Sequence, residues 1–177
     1  MRLLSAVSAV SLLLIAGCAG PAHSTSALRL TPDELRGESG SDGNGTRVGA
    51  SGVSGVRSKV LSGDPAHAGA YSLLLFVSPH TTISAHSHRD DRMASVLAGT
   101  WSLGYGDRFD PASLKVLPVG SVYTEPSGRE HFARTGDEPV IVLISGYGPT
   151  DTHYFDPAND PARPPTQSAS AAPASNH

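Results

Sequence analysis

His86-Ser87-His88, joined to a later segment spaced Gly120, five residues, Pro126, one residue, Gly128, two residues, His131, decides how the chain is read. In a β-strand, residues two apart point to the same face, so His86 and His88 turn both imidazoles toward one point. The later segment supplies a third histidine, His131, just after a tight turn carried by Pro126-Ser127-Gly128. Imidazole suits Zn, Cu, Fe and Ni. The cofactor expected is therefore a divalent transition metal, one of these or Mn, on His86, His88 and His131. The competing reading keeps the three histidines as the polar lining of a pocket without metal.

Working outward, Ser72 to Val77 (SLLLFV) and Val140 to Ile144 (VIVLI) are continuous apolar runs of strand length, as expected where both faces are covered. Met93 to Leu97 and Thr100 to Tyr105 flank Ala98-Gly99, Leu114 to Leu117 precedes Pro118, and Ser121 to Glu125 ends at Pro126. Many short strands with frequent turn residues predict an all-β sandwich or barrel. Composition agrees: 19 Gly and 14 Pro with only 16% charged residues describe a turn-rich β domain, not a helical bundle. The formal charge is −3 and no Lys/Arg cluster occurs, which excludes a phosphate-tracking surface and hence nucleic acid as a partner.

The ends read differently. After Arg2, Leu3 to Ile15 is apolar or small throughout and too short to span a bilayer, so residues 1–17 are expected to be a signal peptide. The run enters Ile15-Ala16-Gly17-Cys18, which resembles the bacterial lipobox; that resemblance implies lipidation at Cys18. Cys18 is the sole cysteine, so an intramolecular disulfide is excluded. Residues 18–55 read as a lipidated tether and linker, Gly/Ser-rich from Gly37 to Gly55, with a short helix starting at the capping box Thr31-Pro32-Asp33-Glu34. Residues 157–177 are Pro/Ala/Ser-rich and expected to be disordered, leaving 56–156 as the folded domain. The expected location is the cell envelope, held by lipid at the outer membrane and facing the periplasm if the host is Gram-negative.

The two histidine segments are similar to the paired motifs of the cupin superfamily. The first motif supplies His86, His88 and Gly99; the second supplies Gly120, Pro126, Gly128 and His131. The resemblance extends over about Val60 to Pro161, through Val96-Leu97-Ala98-Gly99-Thr100, Gly106-Asp107-Arg108-Phe109-Asp110 and Gly148-Pro149. It implies a single jelly-roll type cupin β-barrel with metal ligands at His86, His88 and His131. Three positions depart from the pattern. His80 stands where a glycine is expected, which points to a changed turn. Thr135 replaces an Asn at a structural position. Arg92 stands where the family places a metal-binding Glu.

Arg92 admits two readings. Strand alternation puts it on one face with Ala94, Val96 and Ala98, directed into the barrel near the histidines, where a guanidinium would meet an anionic ligand. Alternatively the turn after His88 is reshaped, Arg92 faces solvent, and Asp90 or Asp91 enters in its place. Two functions follow. One is a metal-dependent, dioxygenase-like enzyme acting on a small organic molecule, with isomerase or lyase chemistry as variants. The other is a non-catalytic protein binding metal or a small anion. The partners expected are a small-molecule ligand and a membrane reached through the lipid anchor, with homodimerisation left open. His67 and His153 are expected on the surface, and Trp101, Phe76 and Phe109 in barrel packing.

Overall fold

A computed structural model describes residues 27–37 and 51–163. The leader, Cys18, residues 38–50 of the linker and the tail beyond residue 163 lie outside the described residues. The ten strands are β1 (Val56–Ser62), β2 (Gly69–Val77), β3 (Thr82–Ser87), β4 (Arg92–Ala98), β5 (Trp101–Tyr105), β6 (Lys115–Leu117), β7 (Val122–Glu125), β8 (His131–Thr135), β9 (Val140–Gly148) and β10 (His153–Tyr154). They form two five-stranded sheets in the orders β1-β2-β9-β4-β7 and β10-β3-β8-β5-β6. Every described strand pair is antiparallel.

The two apolar runs make the centre. β2 and β9 pair over Leu73↔Ile144 and Leu75↔Val142. These residues point inward and meet Val96 of β4, Tyr123 of β7, Trp101 and Leu103 of β5, Ile83 of β3 and Ala133 of β8. Leu73, Leu74 and Val142 have no exposed surface, and full burial of a side chain of this size stabilises by about 1.5–3 kcal/mol. The alternate residues explain why the runs are continuous: Leu74, Phe76 and Ile141 pack on the outer face with Leu61, Leu97 and Leu143.

Leu35 of the short helix α1 (Pro32–Gly37) lies on that outer cluster. The helix starts with a reciprocal cap, in which the Thr31 backbone N–H donates to Glu34 Oε2 at 2.7 Å and the Glu34 N–H to Thr31 Oγ1 at 3.3 Å.

The structure refines these expectations at several positions. The β4 face holds for Arg92, Ala94 and Val96, but the ladder with β9 shifts between Val96 and Ala98, and Ala98 joins the outer cluster. His80 takes φ = 54°, the left-handed conformation that a glycine would adopt without cost. Thr135 serves that same turn: its hydroxyl donates to the Ser78 carbonyl at 2.7 Å and accepts from the Thr81 N–H at 2.9 Å. Finally, Ser51 and Val53, read as linker, pack on the barrel, and Pro157–Asn159 forms a 3-10 turn capped by Asp156 where a tail was expected to begin.

Candidate metal centre

His86 lies on β3, His88 one residue beyond its end, and His131 opens β8. His86 and His131 are direct partners in the β3–β8 ladder. The turn of the second motif braces the loop that carries His88. Gly128, at φ = 68°, donates its N–H to the His88 carbonyl at 2.8 Å. Ser127 adds Oγ–H to the Arg89 carbonyl at 2.8 Å and N–H to Asp91 Oδ1 at 2.9 Å. The Pro-x-Gly spacing thus holds the loop that carries His88.

The three imidazoles are buried, with ring centroids 4.3–5.1 Å apart, and one nitrogen of each lies within 4.8 Å of the others. Each Nδ1 faces a backbone carbonyl: Ser84 O at 2.8 Å from His86, Asp151 O at 2.6 Å from His88 and Arg129 O at 3.1 Å from His131. A carbonyl only accepts, so each Nδ1 carries the proton and each Nε2 is left with a free lone pair. Burial reinforces this neutral state. It pushes His86 and His131 down to about 4 and His88 well below its ordinary value, with Arg92 opposing protonation as well. His131 Nε2 is buried and has no hydrogen-bond partner. Three deprotonated, oriented, buried nitrogens are what a transition metal requires, and the carbonyl partners are the usual second support of a metal-binding histidine.

Arg92 points inward. Its Nη1 lies 3.5 Å from Glu125 Oε2, its Nε 3.5 Å from Asp90 Oδ1, and its Nη2 donates to Thr150 Oγ1 and to the Asp151 carbonyl at 3.3 Å. The Thr150 hydroxyl donates to Asp90 Oδ1, and Asp90 also accepts from Tyr71 Oη at 2.6 Å. Two carboxylates, those of Glu125 and Asp90, already face the guanidinium charge. Neither alternative carboxylate replaces the expected Glu: Asp90 is buried in the Arg92–Thr150–Tyr71 network, and exposed Asp91 holds the Ser127 turn.

Sequence reasoning missed Glu125. It is buried at the end of β7, its Oε2 3.5 Å from His88 Nε2 and its Oε1 3.6 Å from His131 Nε2. Burial raises its pKa, and Arg92 opposes that rise. The signal was present: Tyr123 is a core residue, and alternation places Glu125 on the same face.

The cavity at the histidines is about 20 Å³, lined also by Ser51, Leu75, Ile83, Trp101 and Ile144. That is room for about one water or ion. A larger cavity, about 750 Å³, lies on the outer face beside α1 among Phe76, Leu97 and Ile141. No histidine or cysteine lines it, so chemistry is placed at the small one. His67 and His153 are exposed, and His67 pairs with Asp64 at 2.8 Å. Trp101 and Phe76 are buried, and Phe109 packs on Phe132 at 5.3 Å.

No family model matches the chain. A curated relative, "H2HPP isomerase" of Bacillus subtilis, is 29% identical over 72 residues, 41% of this chain. The match spans 29% of that relative's length. Among solved structures, the polyketide cyclase RemF from Streptomyces resistomycificus superposes with TM-score 0.57 at 18% identity, covering 77% of this chain and 90% of that one. A Cupin 2 conserved barrel domain protein from Salinispora arenicola covers 52% of this chain and 76% of its own at 18% identity and TM-score 0.43. The fold is a single all-β barrel built of two antiparallel sheets, similar to that of RemF.

Proposed function

We propose that His86, His88 and His131 hold a divalent transition metal and that the barrel is a metal-dependent enzyme acting on a small organic molecule. The observation that carries this reading is the set of Nδ1–carbonyl contacts, which leaves three buried Nε2 lone pairs directed at one point. A bound ion would supply Lewis acidity or a site for dioxygen. The chain's own residues orient the ligands and exclude water. Among described residues near the site there is no activated Ser or Cys nucleophile, so the reaction classes that fit are oxygenation, isomerisation and elimination. The partial match to an isomerase supports keeping isomerisation beside the dioxygenase-like reading.

A second reading, metal held without turnover, is favoured by one fact. The cavity of about 20 Å³ admits no organic substrate unless its cover moves. Elemental analysis of the purified protein, followed by Zn²⁺ and Co²⁺ titration of chelator-stripped samples, tests metal binding. Uptake of about one ion per chain, lost when His86, His88 and His131 are replaced by Ala, is expected. No uptake of either ion would end both readings.

We further propose that acyl chains on Cys18 hold the mature protein at a membrane surface; the lipobox-like segment supports this reading, and several chains anchor stably where one binds reversibly. Cys18→Ser should move the protein to the soluble fraction. Unchanged fractionation would refute the anchor.

A further inference from the structure

We propose that Glu125 is a ligand of the metal site, supplied across the β4–β7 ladder, with Arg92 as the residue that positions it. The inference rests on the metal-binding reading above.

Two imidazole lone pairs at the site are unmatched. His88 and His131 commit their Nδ1 protons to carbonyls, so their Nε2 atoms have no hydrogen to give. Yet both face oxygens of one carboxylate, at 3.5 and 3.6 Å. Acceptor thus faces acceptor twice, in a site from which water is nearly excluded, where unpaired polar atoms are costly. One proton on Glu125 can relieve one of these contacts, not both. A cation between the three groups relieves both. Each histidine meets a different oxygen of the carboxylate, Oε2 for His88 and Oε1 for His131, at separations near the about 3.4 Å that stands between two ligands held at about 2.1 Å from one ion at a tetrahedral angle.

Arg92 does not fill that role. Its Nη1 reaches Glu125 Oε2 at 3.5 Å, and its other contacts go to Thr150, Asp90 and the Asp151 carbonyl. It approaches from the strand side, since Arg92 and Glu125 are direct ladder partners. The arrangement holds the carboxylate over the histidines and leaves its remaining lone pairs directed at them. A purely structural ion pair needs no such placement.

The experiment uses the full chain with Zn²⁺ by chelator competition and Co²⁺ by its visible spectrum. Glu125→Gln preserves shape and an acceptor for Arg92 but removes the charge. It is expected to weaken Zn²⁺ at least tenfold and to shift the Co²⁺ bands. Wild-type affinity within twofold together with an unchanged Co²⁺ spectrum would overturn the proposal. The wild type itself supplies a readout that needs no variant. The infrared difference between Zn²⁺-loaded and metal-free protein should show a carboxylate band change, and its absence would also overturn it. Failure of the wild type to take up either ion removes the metal reading as a whole, whereas tight wild-type binding that is indifferent to Glu125 removes only this assignment.

Discussion

Arg92 and Glu125 face each other as direct partners in the β4–β7 ladder, and their side chains meet inside the barrel with Nη1 3.5 Å from Oε2. Both are almost completely buried. Removing one partner leaves the other charge without compensation in a dry interior, which costs about 3–5 kcal/mol. Arg92→Met is the more severe loss, because Asp90 also loses its cation. In urea unfolding of metal-free protein, Arg92→Met should fall by about that amount. The exchange Arg92→Glu with Glu125→Arg should recover part of it, as each charge again faces its opposite. A double variant no more stable than Arg92→Met would show that the network tolerates only one orientation.

His80 should yield a gain in stability. Its backbone sits at φ = 54°, a region that costs a side chain about 1–2 kcal/mol and glycine little. The compensating contact is weak: its Nε2 lies 3.6 Å from Asp137 Oδ1, with both side chains exposed. His80→Gly should therefore stabilise the fold by about 0.5–1 kcal/mol after the entropy of the unfolded glycine is counted, read as a higher urea midpoint. A lower midpoint would mean that the His80 side chain contributes more than these contacts show.

Much of the barrel was legible because its signals are local. SLLLFV and VIVLI read as doubly covered strands, and they are the β2–β9 centre of one sheet. The histidine spacing read as a shared site, and the Pro-x-Gly turn does hold the His88 loop. What escaped depends on ladders. Ala98 turns outward because β4 slips by one residue against β9, and no periodicity within β4 records a slip that its neighbour imposes. Glu125 was passed over as the end of a strand, since its importance comes from facing Arg92 across its own sheet and His88 across the barrel interior. Ser51 escaped for a related reason: a Gly/Ser-rich stretch looks like linker until a distant tyrosine holds it.

Tyr71 gives a pH dependence away from the candidate ligands. Burial, and less strongly its hydrogen bond to Asp90, push its hydroxyl up to about 12. The unfolded chain releases this proton near 10 while the folded chain keeps it. Between these values the folded state binds more protons, so the stability that Tyr71 contributes is complete below about pH 10 and is lost as pH rises toward 12. The stability gap between wild type and Tyr71→Phe should thus narrow from pH 9 to pH 11, read by urea midpoints. Gly146, which faces Arg92 in the β4–β9 ladder, supplies room for this pair: an added Cβ would stand 2.6 Å from both Tyr71 Oη and Asp90 Oδ2. A gap that is constant or widens would contradict the buried phenol.

A short strap at Ser51 lies against the histidine cavity and is tied to Tyr154. Ser51 lines the cavity of about 20 Å³, and its carbonyl accepts a hydrogen bond from Tyr154 Oη at 2.6 Å. The Tyr154 ring in turn lies 5.6 Å from that of His86, so one side chain touches both cover and site. Tyr154→Phe removes the hydroxyl and keeps the ring, weakening the strap by about one hydrogen bond, roughly 0.5–1.5 kcal/mol. If that bond holds the cover closed, removal of Zn²⁺ by excess chelator should quicken roughly three- to tenfold in Tyr154→Phe. The equilibrium affinity should change far less, because Tyr154 donates to none of the three imidazoles. Equal release rates in the two proteins would mean that the ion leaves by another route and that the Ser51 strap does not limit entry to the site.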